Sequence, residues 1–336
     1  MKKFVALALL SLSLHSCHLF SSQKDNPATN DTPQETPLAK TPVFHADSCY
    51  QFVKAQVDFG PRTPNSAAHD RCADWIAATA RRFADTVFVQ KYDAIGFDGK
   101  TLKSKNIIAA FNTGVQPRMY ISAHWDTRPF ADQDDKDTDK PIDGANDGGS
   151  GVGIMLETAR LLALQRPDMG VDLIFFDSED YGQPQESTLP KVEDSYCLGS
   201  QYWALHPHIP GYKADFGINL DMVGSGDAVF MREQVSVANA DWASQYVWNI
   251  AARLGFSSLF QNRVAGAITD DHFYVNKLAH IPSIDIIHYS ETGFGSYWHT
   301  HHDNMEVISR ETLRMVGSVI VQTIYQYDAE RKVAAK

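Results

Sequence analysis

Val171-Asp172-Leu173-Ile174-Phe175-Phe176-Asp177-Ser178-Glu179-Asp180 decides the architecture. Its first six residues form a nearly continuous apolar run, as a strand reads when helices cover both faces of its sheet. The last four are mostly acidic, so the strand empties into a charged loop. Stretches of the same build stand on either side. Met119 to Ala123 reads as a buried strand that runs into His124-Trp125-Asp126. Phe216 to Leu220 reads as another and runs into Asp221-Met222, and Ser283 to Ile287 is a further one. Helical stretches alternate with them: Gly148 to Leu164, opened by glycines; Trp242 to Leu254; and Glu311 to Tyr327, with Leu313, Val316, Ile320 and Ile324 on one face. Upstream, Asp47 is placed to cap a helix reaching about Val57, and Ser66 to Phe83 reads as a second helix. Val87, Val89 and Tyr92 alternate, as do residues around Ile107 to Phe111, which predicts two adjacent strands. The pattern predicts an α/β three-layer sandwich, with a central mixed, mostly parallel sheet flanked by helices.

The composition supports one packed domain. Of 336 residues, 43% are apolar and 21% charged, which excludes global disorder. Lys plus Arg is 30 against 41 Asp plus Glu, a net charge of −11. Such an acidic surface does not suit nucleic acid, whose phosphates call for basic side chains. Four cysteines (Cys17, Cys49, Cys72 and Cys197) are too few for a disulfide scaffold or a thiolate metal cluster.

The first residues read as a targeting signal. Lys2 and Lys3 precede a short apolar run, Phe4 to Leu14, which ends in Leu14-His15-Ser16-Cys17. This resembles a bacterial lipobox, in which the cysteine carries lipid; the alternative is a plain secretory signal. Residues 1–16 are then a signal peptide. Residues 17–42, broken by Pro27, Pro33, Pro37 and Pro42, form a flexible tether, and residues 43–336 a single catalytic domain. The expected location is the bacterial cell envelope, facing the periplasm, with Cys17 as the membrane anchor. Cys49, Cys72 and Cys197 leave either one disulfide or three buried thiols.

Acids and histidines gather just after the buried strands: His124 and Asp126, Asn146-Asp147-Gly148, Glu179-Asp180, Asp221, Asp270-Asp271-His272 and Trp298-His299-Thr300. Ligands bind at the carboxyl ends of strands in open α/β sheets. Groups of this kind repel one another there unless a cation lies among them, and oxygen and nitrogen donors without sulfur suit zinc. Each has a plainer alternative. Asp147 can cap a helix, Glu179-Asp180 can be a solvated turn, and Asp221 can end a strand. Any of His299, His301 and His302 can be the ligand. Jointly, in matching positions, they point to a site.

The series His124-x-Asp126, Gly144-Ala145-Asn146-Asp147, Glu179-Asp180, Asp221 and His299 resembles the zinc-dependent aminopeptidase clan across nearly all of the domain. Within it, three features are similar to the glutaminyl-peptide cyclotransferases, or glutaminyl cyclases. Asp270-Asp271-His272 has an extra acid before the Asp-His pair of the peptidases. Trp298-His299-Thr300 is similar to the cyclase motif around a histidine ligand. A long insertion, Gln183 to Tyr196, separates Glu179-Asp180 from Leu198-Gly199-Ser200. Two departures stand out: Asp180 replaces the Glu of the animal enzymes, and the insertion has no Trp matching their pocket Trp.

The resemblance implies one zinc ion held by Asp147, Asp180 and His299. It implies that the enzyme cyclises the N-terminal glutamine of peptides or secreted proteins to pyroglutamate and releases ammonia. Glu179 is then the general base and acid, Asp270 holds the leaving amide nitrogen, and Asp221 joins the same acidic network. Trp298 and Phe294 wall the substrate pocket, with ordinary core packing as their alternative role. Two other readings remain: a two-zinc aminopeptidase that also recruits His124 and Asp221, and a binding module on this fold that has lost its metal.

Overall fold

A computed structural model describes residues 37–334. The signal, Cys17 and most of the tether lie outside the described residues. The compact unit begins at Leu38, earlier than the boundary expected at residue 43. The reason lies in two hydrogen bonds: Ala39 N donates to Gln326 Oε1 (2.7 Å), and Gln322 Nε2 donates to Ala39 O (3.0 Å). These tie the last tether residues to the closing helix.

The chain first forms helices α1 (Ala46–Val57) and α2 (Ala67–Ala80), then strands β1 (Thr86–Ile95), β2 (Thr101–Phe111) and β3 (Arg118–His124). Helix α3 (Gly149–Leu164), β4 (Gly170–Phe176), α4 (Leu198–Leu205) and β5 (Gly217–Asp221) follow. Next come β6 (Phe230–Arg232), α5 (Gln234–Arg253), β7 (Phe260–Val264), the short α6 (Asp271–Tyr274) and a π-helical turn (Val275–Ala279). Strands β8 (Ser283–Ile287), β9 (Tyr289–Ser290) and β10 (Gly293–Phe294) precede α7 (Arg310–Ala334).

Six strands form one sheet in the order β1-β2-β4-β3-β5-β8. The hairpin β1–β2 is antiparallel and joins β4 antiparallel, whereas β4, β3, β5 and β8 run parallel. The sheet is therefore mixed and mostly parallel, as the sequence predicts. Alternate residues of β4 serve different layers. Val171, Leu173 and Phe175 join the main core with α1, α3 and α7; Ile174 and Phe176 join a second core with Trp203 of α4 and Val275. Asp172 sits in this apolar run because its carboxylate is paired in place. Arg118 donates to both of its oxygens (2.7 and 2.9 Å), and Tyr212 adds a third bond (2.6 Å).

Two local expectations need correction. Asp47 lies in the first turn of α1 behind His45, and its carboxylate pairs with Arg310 (2.8 Å) rather than capping. Helix α5 starts at Gln234, well before Trp242, because the Glu233 carboxylate accepts from the backbone N–H of Val235 and Ser236. A kink at Ala240 breaks the apolar period there. Cys49, Cys72 and Cys197 are buried free thiols. No helix among the described residues is long and apolar enough to cross a membrane.

Candidate active site

The parallel strands deliver their side chains to one edge of the sheet. Ser122 of β3 pairs in register with Asn219 of β5, so two residues further on His124 stands beside Asp221. His124 Nε2 lies 3.2 Å from Asp221 Oδ1 and 2.9 Å from Asp147 Oδ1. Asp147 comes from the turn before α3, where Gly144 and Gly148 take positive φ (60° and 82°). A Cβ on Gly148 would stand 2.7 Å from Asp126 O, so the turn tolerates only glycine there. Glu179 and Asp180 follow β4, and their backbone N–H groups donate to the two oxygens of Asp126 (3.0 and 3.2 Å).

His299, held at φ +55°, enters from the loop before α7. Its Nε2 lies 3.2 Å from Asp180 Oδ1 and 3.9 Å from Asp147 Oδ2. It is His299, not the outlying His301 or His302, that joins the cluster: His301 pairs with Asp134 (2.9 Å), and His302 is exposed. Donor atoms of Asp147, Asp180 and His299 all lie within 4.8 Å of one another, as do those of His124, Asp147 and Asp221. The first set fits a zinc ion. It offers two carboxylates and an imidazole, and Asp180 Oδ2 is buried without a hydrogen-bond partner. Behind it, Asp132 Oδ1 lies 3.2 Å from His299 Nδ1 and is fixed by Arg128 through two bonds of 2.8 Å. Arg128 also donates to the carbonyl oxygens of Asp180 (3.0 Å) and Gly182 (3.1 Å).

The charges confirm mutual dependence. Burial works against a charged His299, but Asp180 and Asp132 lift it to about 9. Burial also opposes charge on His124, yet its three aspartate neighbours raise it well above its ordinary value. Asp147 falls below the usual carboxylate value against the pull of burial, because His124 bonds to it. Asp180 is raised by burial and by the Asp147 charge. Burial and Asp147 push Asp221 to about 7. Metal ligation replaces such shared protons with a cation.

Glu179 is half-buried at the pocket mouth. Burial lifts its carboxyl well above the ordinary value; His124 pulls the other way, while Asp180, Asp270 and Asp271 add to the rise. The Cys197 thiol donates to Glu179 Oε1 (3.2 Å), and donors of Glu179, Cys197 and Asp270 also lie within 4.8 Å of one another. Asp270 caps α6 and accepts from Asn219 Nδ2 (2.9 Å). Within this acidic network Asp221 is hydrogen-bonded to His124 and, beyond burial and Asp147, is raised in part by the Asp270 charge, whereas Asp270 is bonded to Asn219, which also reaches Asp285 (3.4 Å). Phe294 packs on Trp298 (centroids 4.5 Å apart), and Trp298 stacks on His299 (4.0 Å).

All eight candidate residues (Asp147, Glu179, Asp180, Asp221, Asp270, Phe294, Trp298 and His299) line one pocket of about 70 Å³. Tyr196, at the end of the insertion, lines it as well and supplies an aromatic wall where no Trp is available. Sequence reading missed Arg128, Asp132 and Asp303. Asp303 is buried, and its two oxygens accept from the N–H of Asn146 (2.7 Å) and Asp147 (3.0 Å). The only sequence signal for them is Asp132 four residues after Arg128, and Asp303 four after His299.

Comparison with known proteins gives a concordant picture. Residues 106–324 match the model of peptidase family M28. Aminopeptidase YwaD of Bacillus subtilis is 30% identical over 215 residues, covering 62% of this chain; the match spans only 40% of that relative's own length. A glutaminyl cyclase from Bacteroides thetaiotaomicron, solved with N-acetylhistamine bound, is 47% identical with a TM-score of 0.84, over 85% of this chain and 99% of that one. A Zn-dependent exopeptidase from Parabacteroides distasonis is 48% identical with a TM-score of 0.83, over 85% of this chain and 99% of that one.

Proposed function

The chain belongs to peptidase family M28, and on that premise we propose that it cyclises the N-terminal glutamine of peptides and secreted proteins to pyroglutamate, with release of ammonia. One observation carries the reading. Two carboxyl groups suited to different tasks, Glu179 and Asp270, face each other in the same small pocket as the Asp147–Asp180–His299 set. The likeness to a solved glutaminyl cyclase supports it.

Asp147, Asp180 and His299 would hold one zinc ion per chain, which when bound supplies Lewis-acid polarisation of the glutamine side-chain carbonyl. Glu179 takes a proton from the substrate α-amine as that nitrogen bonds to the side-chain carbonyl carbon and closes the ring. The same carboxyl returns the proton to the amide nitrogen as its bond to that carbon breaks, and ammonia leaves. Burial and the neighbouring acids raise this carboxyl well above its ordinary value, which favours its holding the proton that it returns to the leaving nitrogen. Asp270, steadied by Asn219, accepts a hydrogen bond from the departing nitrogen. Asp221 holds His124 against Asp147. The stack of Phe294 on Trp298 walls the slot that takes the glutamine side chain.

A second reading, a two-zinc aminopeptidase, draws on the proximity of His124, Asp147 and Asp221 and on the likeness to an aminopeptidase. Incubating the protein with a Gln-initiated peptide and a Leu-initiated amide separates the two. A mass lower by one ammonia for the first and an intact second is the expected result. Free leucine with an unchanged Gln-initiated peptide overturns the cyclase reading.

The same proposal includes an anchor. Lipid on Cys17 would hold the enzyme at the bacterial cell envelope, facing the periplasm, where secreted proteins pass. Its support is the order of Lys2-Lys3, apolar run and cysteine. Two acyl chains suffice for stable attachment, so Cys17→Ser moves the protein from the membrane fraction to the soluble one. Retention of that variant in the membrane pellet removes the anchor.

A further inference from the structure

The insertion of residues 183–196 has no task in the chemistry above beyond the ring of Tyr196. Most of its residues line a groove of about 530 Å³, together with Thr269 and Tyr274. Tyr196 and Thr269 line both this groove and the catalytic pocket, so the two adjoin at these side chains. We propose that the groove binds the residues that follow the N-terminal glutamine, as an extended peptide with apolar side chains at its second and third positions. The identity of the ligand rests on the cyclase reading.

The wall is built and not a loose excursion. The Gln183 side chain sits at its centre: Nε2 donates to Leu189 O (3.2 Å), Pro190 O (3.1 Å) and Ser187 Oγ (3.2 Å), and Oε1 accepts from Val192 N (2.8 Å). The far end is docked on the domain. Tyr274 Oη donates to Asp194 Oδ1 (2.8 Å), and Gln201 Nε2 donates to the carbonyl oxygens of Asp194 (2.9 Å) and Tyr196 (2.7 Å). Glycine at 182 lets the loop turn back, because a Cβ there would stand 2.1 Å from the Tyr196 ring.

Charge and exposure select the occupant. Lys191 pairs with Glu193 (2.7 Å) and Lys277 of the π-helical turn with Asp194 (3.4 Å), so the charged side chains that line the groove are matched. Leu189 and Val192 are left 46% and 41% exposed along the groove. A peptide chain advances about 3.3 Å per residue when extended. Leaving the pocket past Tyr196, it meets these two aliphatic side chains within its next residues, and covering them is favourable.

The test uses the zinc-loaded protein and three substrates: glutaminamide, a Gln-initiated pentapeptide with Leu at positions two and three, and the same peptide with Asp there. The Leu peptide should show a KM about tenfold below the other two, the order expected from part-burying two aliphatic contacts. In the double variant Leu189→Asp/Val192→Asp the ratio of the peptide KM to the glutaminamide KM should return toward one. Fluorescence anisotropy of a labelled Leu peptide on the Glu179→Gln protein reads binding apart from turnover. Equal KM values for all three substrates, or a peptide advantage undiminished in the double variant, overturn the groove. Peptide binding that the double variant abolishes, with no turnover of any substrate, upholds the groove and overturns the cyclase reading. Absence of both binding and turnover overturns the two together.

Discussion

Replacing Glu179 by Gln keeps the size of the side chain and removes the exchangeable proton. Turnover of a Gln-initiated peptide should fall by roughly 10²–10⁴-fold, the usual share of general acid–base catalysis, with zinc content unchanged. Product mass and metal analysis read the two quantities, and near-normal turnover would take Glu179 out of the mechanism. Asp147, Glu179, Asp180, Asp221 and Asp270 were legible because each ends or follows a strand or opens a helix, positions where acids serve no packing purpose, whereas His299 sits in the loop before α7 and was legible only from its neighbours Trp298 and Thr300. Asp126, Arg128, Asp132 and Asp303 act on backbone groups and on other side chains, and their partners are set only once the loops meet. One histidine away from the site makes a separate forecast. His208 Nδ1 accepts from Trp203 Nε1 (3.1 Å), so a proton on that nitrogen would face the indole N–H. Burial lowers its pKa from 6.5 to about 4. Above 6.5 both folded and unfolded chains carry a neutral ring. As pH falls through the window toward 4 the unfolded chain gains the proton first, so stability drops, by up to about 2 kcal/mol at pH 5. The fall in Tm from pH 7 to pH 5 should therefore be smaller in His208→Gln than in the parent; an identical fall would show that His208 stays unlinked to folding.

The loop that opens α3 owes its shape to a residue far along the chain. Asp303 accepts from two successive N–H groups, those of Asn146 and Asp147, and Arg62 donates to the carbonyl oxygens of Asp143 and Gly144. Asp303 lies on the segment that also carries His299, so one side chain ties two of the three proposed zinc ligands together. Asp303→Ala should lower zinc affinity about 10–100-fold, the range for groups that orient metal ligands. Competition with a chromophoric chelator measures this, and an unchanged affinity would mean the turn holds its form through Gly144, Gly148 and Arg62 alone. Elements with a strong period were readable: β4 from its apolar run, α7 from its stripe. Helix α5 was readable only in its second half, since Ala240 departs from helical geometry and Val235 and Val237 before it alternate with polar residues instead of following a helical period. Strands β6 and β7 are short and carry no alternation that distinguishes them from loop. Helix α6 and the π-helical turn depend on the Asp270 cap and on packing against α4, neither of which has a periodic signature.

Across the whole molecule, parallel pairing of β4, β3 and β5 sends His124, Glu179, Asp180 and Asp221 to the same edge, and the loops before α3 and α7 close over it. The same architecture permits one metal ion or two, so the count separates the two reactions. Asp147 turns one oxygen to each side: Oδ1 lies 2.9 Å from His124 and Oδ2 lies 3.9 Å from His299. A bridging role is therefore sterically open. The surroundings of the two histidines differ. A ligating histidine is held through its other ring nitrogen. Neither Nδ1 makes a well-formed hydrogen bond, but His299 Nδ1 has the nearer carboxylate, Asp132 at 3.2 Å clamped by Arg128, whereas His124 Nδ1 has Asp126 at 3.6 Å, whose oxygens already accept from Glu179 and Asp180. His124 is steadied on its Nε2 side by Asp147 and Asp221, as befits a hydrogen-bonding residue. The chemistry agrees, because ring closure by the substrate's own amine needs a polarised carbonyl and a proton shuttle but no activated water. Metal analysis of the purified protein should give about one zinc per chain, and His124→Gln should keep that content. Two zinc ions in the parent, falling to one in His124→Gln, would identify a two-metal site and favour the peptidase.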